Sequence, residues 1–270
     1  MKIILLGDSI TQGLGSKKIN FHQELKRLLD SGDDVINMAM TGTTIDYVNT
    51  IYSDILAENP DYVVILYGNV DAMLKPSRTG KVFCHLPKRF KMNDGAMLLP
   101  RPFYSHSMLK SIGQHIENCF RTIFRNIVIM VDGTEQWMPL NQYVEHYKNI
   151  CDDLRKQGIR IVICSTVYID DKYFNGTNNE YICYNKWLKD YTDNNGYIFI
   201  DLYHMFETLI KKDGWDKYYN KDHFHPNGEG YALMAAQIAN VFPNRCVEDR
   251  KQETGYEKDH AKSHIILHKS

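Results

Sequence analysis

Ile3-Ile4-Leu5-Leu6-Gly7-Asp8-Ser9-Ile10-Thr11 joins a short apolar run to a glycine and a serine. A buried parallel strand that stops at a glycine and passes into Asp-Ser sets a hydroxyl at the carboxyl end of a sheet, where open α/β folds place their ligands. Ser9 is therefore the candidate nucleophile. A serine hydroxyl is a weak nucleophile at neutral pH, so this reading requires a base and an orienting carboxylate elsewhere in the chain.

Outward from that stretch, residues 19–30 carry Phe21, Leu25, Leu28 and Leu29 on one helical face ahead of Gly32. Residues 35–38 read as a second strand and residues 45–56 as a helix closed by Pro60. Residues 62–66, a β-branched run ending before Gly68, read as a third buried strand. Strand, helix, strand, helix, strand predicts a central parallel sheet with covered faces. The alternation fails over residues 72–137, an insertion after strand 3. Within it residues 75–102 hold four prolines and read as a long irregular excursion, taken as a cap or substrate loop. Residues 108–124 look helical, whereas 127–131 fit either a strand or a buried helix end, which periodicity does not decide. A helix over 141–157, a strand over 159–167, a helix over 179–192, a strand over 197–202 and a final helix over 230–242 complete one domain, residues 1–242. Residues 243–270 read as a polar, mobile tail.

The composition narrows the class of partner. With 32 Lys+Arg against 33 Asp+Glu, the charges nearly cancel, which argues against nucleic acid or an anionic membrane and for a neutral or small anionic ligand. No apolar run approaches the ~20 residues of a membrane span, and no cleavable leader pattern precedes Gly7, so the chain reads as cytoplasmic. Six cysteines without a C-x-x-C pair point to reduced thiols and no structural zinc.

The base and carboxylate stand at the far end, in Asp222-His223-Phe224-His225-Pro226-Asn227. An aspartate three residues before a histidine lets one loop present both side chains, the carboxylate fixing the imidazole tautomer while the imidazole takes the serine proton. Ser9, Asp222 and His225 are the expected triad. His223 and His225 also form an H-x-H pair that could join Asp8 or Asp222 around a metal. No third histidine or carboxylate cluster accompanies them, so neither metal nor cofactor is expected. His223 is instead assigned to solvent or substrate. Asp201 reads as a structural acceptor, and His260, His264 and His268 as solvated tail residues. Arg78, Lys88, Arg89, Lys91 and Arg101, clustered around Phe90 and Phe103, offer a site for an anionic sugar or phosphate or simply a solvated basic loop.

Taken together, G-D-S-I-T at 7–11, N-M-A-M-T-G-T-T at 37–44, Y-G-N-V-D at 67–71 and D-H-F-H-P at 222–226 resemble the SGNH (GDSL-type) hydrolases, across residues 1 to about 242. The resemblance implies a flavodoxin-like three-layer α/β/α sandwich, Ser9 as nucleophile, His225 as base and Asp222 as its orienter. It also implies an oxyanion hole formed in part by the N–H groups of Ser9 and Gly42. The third family motif usually reads G-x-N-D, its asparagine donating to the oxyanion, but here Gly68-Asn69-Val70-Asp71 has valine at that position. Either the loop shifts so that Asn69 donates, or the hole relies on backbone groups and another side chain. Asp8, Asp71, Arg78 and His223 remain candidate substrate contacts. The activity implied is hydrolysis of a short acyl ester, acetyl-like, on a carbohydrate or its precursor. An O-acyltransferase with the same triad and a catalytically impaired binding module are the alternatives.

Overall fold

A computed structural model describes residues 1–16, 21–91, 98–100 and 107–242, with the side chain of Arg89 left out. Its centre is a five-stranded sheet in the order β2-β1-β3-β6-β7, formed by β1 (Lys2–Gly7), β2 (Asp34–Asn37), β3 (Tyr62–Leu66), β6 (Arg160–Cys164) and β7 (Ile198–Ile200). All pairings are parallel. A parallel strand covered on both faces has no solvent side, which is why Ile3 to Leu6 and Val63 to Leu66 are uninterrupted apolar runs, all essentially buried. Each such side chain contributes about 1.5–3 kcal/mol on leaving water.

The order places the direction reversal between β1 and β3. Right-handed crossovers then put α2 (Phe21–Leu28) on one face and α3 (Tyr47–Ala57), α7 (Leu140–Lys156) and α8 (Thr177–Asn195) on the other. The packing agrees: α10 (Gly228–Ala239) lies against α2, and α7 meets α8 through Tyr143, Tyr147, Trp187 and Tyr191. This is the flavodoxin-like three-layer α/β/α sandwich expected from the resemblance. The switch point beside β1 is where such sheets bind ligands.

Several boundaries differ from those read in the sequence. The strand expected over 159–167 stops at Cys164: Ser165 N–H still donates to the Ile200 carbonyl of β7, but Thr166 N–H turns to the Asn185 side chain. The strand expected over 197–202 is only Ile198–Ile200, since Asp201 caps a helix, α9 (Leu202–Asp213), that the sequence reading missed. The helix expected over 19–30 begins at Phe21 among the described residues and ends at Leu28.

The insertion is more ordered than an irregular excursion. Its base is a two-stranded antiparallel ribbon of β4 (Leu74–Pro76) and β5 (Thr134–Gln136). Between them run α4 (Lys81–His85), α5 (Lys88–Lys91) and the 25-residue α6 (Met108–Asp132). Residues 127–131 are thus the last turns of α6. The Asp132 carboxylate accepts from the N–H groups of Val82 and Phe83 at the start of α4. That close approach needs a glycine beside it, since a Cβ on Gly80 would lie 2.2 Å from Asp132 Cγ. The short α1 (Ser9–Gln12) completes the elements used below. The polar tail, its histidines, Arg101 and Phe103 lie outside the described residues.

Candidate active site

The β1 strand ends at Gly7, and only glycine fits there: a Cβ would meet Thr11 Oγ1 at 2.0 Å and the Leu66 carbonyl at 2.7 Å. Asp8 then caps α1, its Oδ1 accepting from Ile10 N–H at 2.9 Å, and Ser9 becomes the first helical residue. The N–H of a first-turn residue has no partner within its helix, which leaves that of Ser9 without an intrahelical acceptor.

The other half of the site arrives on the loop before α10. Asn227 caps that helix, accepting from Glu229 and Gly230 N–H. Asn220 pins the loop by donating from Nδ2 to the His225 and Pro226 carbonyls. Tyr231 of α10 donates its hydroxyl to the Leu14 carbonyl at 2.7 Å, which fastens the two ends of the chain together across 217 residues.

This framework brings three predicted residues into one relay. Ser9 Oγ lies 2.8 Å from His225 Nε2, and His225 Nδ1 lies 2.6 Å from Asp222 Oδ2. Asp222 Oδ1 is separately held by the N–H groups of Phe224 and His225, at 3.2 Å each. The carboxylate is buried and fixed at both oxygens, so the imidazole has one favourable orientation, with Nδ1–H toward Asp222 and the Nε2 lone pair toward Ser9.

Gly42 borders the same cleft. Its loop is tied to the serine turn by Met40 N–H to the Gly7 carbonyl, Asn37 Nδ2 to the Thr11 carbonyl and Thr41 N–H to Gln12 Oε1. Gly42 sits at φ +75°, a left-handed conformation that favours glycine although space is open around it.

The cleft holds about 160 Å³ and is lined mainly by apolar groups, Val70, Met73, Leu99, Trp137, Phe174 and Phe224 among them, with Ser9, Gly42, Asp222 and His225. Of these, the insertion contributes Met73, Leu99 and Trp137, which sequence reasoning did not single out. Their only signal was position, at the two ends and middle of the segment read as a cap.

Asn69 does not meet the cleft. It is fully buried, Oδ1 accepting from Val167 N–H at 2.9 Å and its carbonyl accepting from Tyr181 OH. Val70 takes the wall position instead, so of the two arrangements left open, the loop shift that would make Asn69 an oxyanion donor does not occur. Asn69 Nδ2 and Asp8 Oδ2 are both buried without a hydrogen bond of ordinary geometry, yet the amide is among the groups that favour the Asp8 carboxylate. Burial dominates and pushes Asp8 up to about 6, against the opposing pull of Ile10 N–H and His225.

Asp71 also turns inward rather than toward a ligand. Its two oxygens accept from Ile45 and Gly68 N–H at 2.8 and 2.9 Å. Burial pushes it up to about 7, the two N–H groups resisting and Asp8 adding to the rise. These carboxylates brace the loops at the strand ends and do not line the cleft.

Two further expected contacts are also held elsewhere. His223, at φ +52°, stacks on Trp215 at 4.9 Å and places Nδ1 2.7 Å from Asp170, so one ring face and Nδ1 are taken. Arg78 pairs with Glu135 at 2.7 Å at the base of the insertion, away from the cleft. Among the described residues of the basic cluster, Lys91 donates to the Cys84 carbonyl and Phe90 packs on Phe124. Among the described residues, no group of three or more His, Cys, Asp or Glu is placed to hold a metal ion. Nor is any described helix long and apolar enough to cross a membrane.

A serine–imidazole–carboxylate relay beside an apolar cleft, at the carboxyl edge of a doubly wound sheet, is the architecture of an acyl-bond hydrolase. Sequence comparison makes the assignment narrower. The chain belongs to the GDSL-like Lipase/Acylhydrolase family, whose sequence model matches residues 5–233. No curated protein matches it in sequence. Solved structures of similar fold include the acetyl xylan esterase AlAXEase, at 18% identity and TM-score 0.58 over 89% of this chain and 99% of that one. A variant of Axe2, an acetyl xylan esterase from Geobacillus stearothermophilus, matches at 16% identity and TM-score 0.58 over 88% and 93%. The lipase/acylhydrolase from Enterococcus faecalis matches at 17% identity and TM-score 0.55 over 90% and 98%.

Proposed function

We propose that the protein is a serine esterase that removes short acyl groups, acetyl first among them, from a hydroxylated substrate of the carbohydrate class. The observation that carries this reading is the relay of 2.8 and 2.6 Å opening into a cleft of about 160 Å³. That volume is similar to the ~150 Å³ of a cavity that binds benzene, which is room enough for a short acyl chain. The carbohydrate part rests on the acetyl xylan esterases of similar fold and on the flat apolar faces of Trp137 and Phe174 at the cleft.

In this mechanism His225 Nε2 takes the Ser9 proton as Oγ attacks the ester carbonyl, and Asp222 stabilises the imidazolium that forms. The tetrahedral oxyanion accepts from the N–H groups of Ser9 and Gly42. Its collapse breaks the bond to the leaving alcohol, which receives the proton from His225 and leaves an acyl-Ser9. Water then loses a proton to His225, attacks the acyl carbon and releases the acid, regenerating Ser9. With Val70 on the wall, the hole lacks the side-chain donor that the family motif usually supplies. The relatives are esterases and acylhydrolases, and nothing favours an alcohol over water as the second acceptor.

The test is hydrolysis of p-nitrophenyl acetate, butyrate and octanoate by wild type and Ser9→Ala, followed by acetate release from acetylated xylo-oligosaccharides. Turnover that needs Ser9 and falls with chain length is expected. Substrate binding without serine-dependent turnover would replace this reading with that of a binding module.

A further inference from the structure

The insertion carries a helix whose polarity is inverted. On α6 the side turned to the body bears Asn118 and Arg125, both buried, while the opposite side is apolar and exposed from Leu109 to Met130. Of the eleven large apolar side chains exposed among the described residues, nine belong to this helix, where relative exposures run from 47% to 83%. Monomeric proteins rarely leave a contiguous apolar patch of more than a few hundred Å². Arg125 shows that the orientation is not a loose rotation of the helix. It donates to the Leu74 and Tyr173 carbonyls, so the apolar stripe is held outward from behind.

The spacing of the stripe identifies what covers it. Seven of the nine, from Leu109 to Met130, recur every three or four residues and fall within roughly 80° of arc at 3.6 residues per turn. Folded back on itself, the pattern is palindromic. In an antiparallel pair centred between Cys119 and Phe120, Leu109 falls opposite Met130, Ile112 opposite Ile127 and Ile116 opposite Ile123. Phe120 then lies over the partner copy's equivalent of the exposed Cys119 at the two-fold axis. A two-fold interface requires such a self-complementary surface, and knobs at a spacing of three and four are what two packed helices interlock with.

We infer that α6 is a homodimerisation helix, pairing antiparallel with α6 of a second copy of this chain. The stripe offers on the order of 800 Å² per copy, the area that a stable interface of standard size buries on each side. A lipid surface fits less well. Its binding needs no palindrome, and the exposed flanks carry Lys110 and Glu117 without the basic excess that anionic lipid favours.

The experiment is sedimentation velocity of the full chain across a micromolar concentration series, with Ile116→Glu and the double variant Ile116→Glu/Ile123→Lys. Wild type is expected at twice the 31.5 kDa monomer mass. Each interface contains position 116 twice, so Ile116→Glu should raise the dissociation constant by on the order of 100-fold or more. The added lysine faces the new glutamate across the axis and should recover much of that loss, a result that reports the antiparallel register. A short bis-maleimide should link two copies of wild type through Cys119 and not of Cys119→Ser. Far-UV circular dichroism confirms that each variant keeps its helix. A monomer at every concentration would overturn the inference, as would a dimer indifferent to Ile116→Glu, or wild type that stays monomeric and floats with phosphatidylglycerol vesicles.

Discussion

Replacing Asp222 with asparagine exchanges one oxygen for an amide nitrogen, and the geometry turns that exchange into a choice between two faults. Asp222 Oδ1 accepts from two backbone N–H groups, while Oδ2 faces His225 Nδ1 at 2.6 Å. An asparagine that keeps its oxygen on the N–H groups points its NH₂ at Nδ1, which must then accept. The imidazole proton moves to Nε2, and no lone pair remains to take the Ser9 proton across 2.8 Å. Such a tautomer costs ~10⁴ in kcat, roughly 5.5 kcal/mol of barrier. Turning the amide over repairs the tautomer but sets NH₂ against two buried N–H groups, at about 1–3 kcal/mol each. The two faults cost similar amounts, so kcat should fall by ~10³ to 10⁴ with KM little changed. The assay is steady-state hydrolysis of p-nitrophenyl acetate from pH 5 to 9, with a thermal melt to confirm folding. A folded Asp222→Asn enzyme that loses less than tenfold would refute the claim that this carboxylate orients the base.

Val70→Asn should introduce the donor that the cleft wall lacks and raise kcat on acetate esters, by up to ~10² if its amide reaches the oxyanion; a folded variant with unchanged or lower kcat would show that the wall at this position does not face the developing charge. Burial pushes Asp71 up to about 7, so the native state holds its proton more tightly than the unfolded chain does. Its contribution to stability is therefore complete below about pH 4 and is lost as pH rises through about 7, on the order of 4 kcal/mol in all. Asp71→Asn gives up one of two N–H acceptors but removes that slope, so its deficit in melting temperature against wild type should shrink between pH 5 and 8, and a constant deficit would contradict the assignment. Arg125, pushed down to about 10 by burial, donates to the carbonyls of Leu74 and Tyr173, next to the cleft residues Met73 and Phe174. Arg125→Met should cost about 2 kcal/mol in urea unfolding through those stranded carbonyls and raise KM. Arg125→Lys should recover little, because one ammonium does not span both acceptors.

How much of this could be read from the chain depended on how local each signal was. The β1 run, the glycine stop and Ser9 are contiguous, and Asp222 and His225 share one loop, so their spacing already carried the relay. The parallel sheet was legible for the same reason, since Ile3 to Leu6 and residues 62–66 declare a two-sided strand without outside help. Side-chain direction in the loops was not. Which way Asn69 turns is decided by Val167, 98 residues away, and His223 is claimed by Asp170 and Trp215. Asp8 and Asp71 look like ligands in a motif, yet Asp8 is buried and caps its own helix through Ile10 N–H, and Asp71 is claimed in part by Ile45, 26 residues away. Residues 127–131 were ambiguous because α6 breaks the usual rule, with apolar groups on the outside. The helix after β7 was missed although Asp201, Leu202, Phe206 and Ile210 carry its cap and its buried face.

The turn after β3 ties the chemistry of the cleft to its size. In a tight turn, neighbouring residues point to different sides, so committing Asn69 to Val167 N–H leaves Val70 to face Ser9. One choice therefore keeps a polar amide out of the cleft and adds an apolar branch to its wall, which the proposed mechanism makes the acyl wall. Asp71 locks the arrangement, since its carboxylate spans Gly68 N–H within the turn and Ile45 N–H at the end of the Gly42 loop. Slipping the turn by one residue to bring Asn69 outward would strip acceptors from Val167, Gly68 and Ile45 together. Each stranded N–H costs about 1–3 kcal/mol, more in sum than the ~2.7–4 kcal/mol that one oxyanion donor returns in the transition state. The valine is thus a property of a braced turn rather than of a mobile loop. Under the proposed esterase reading, an enzyme built this way depends on its backbone N–H groups and favours acyl groups small enough to fit beside that wall.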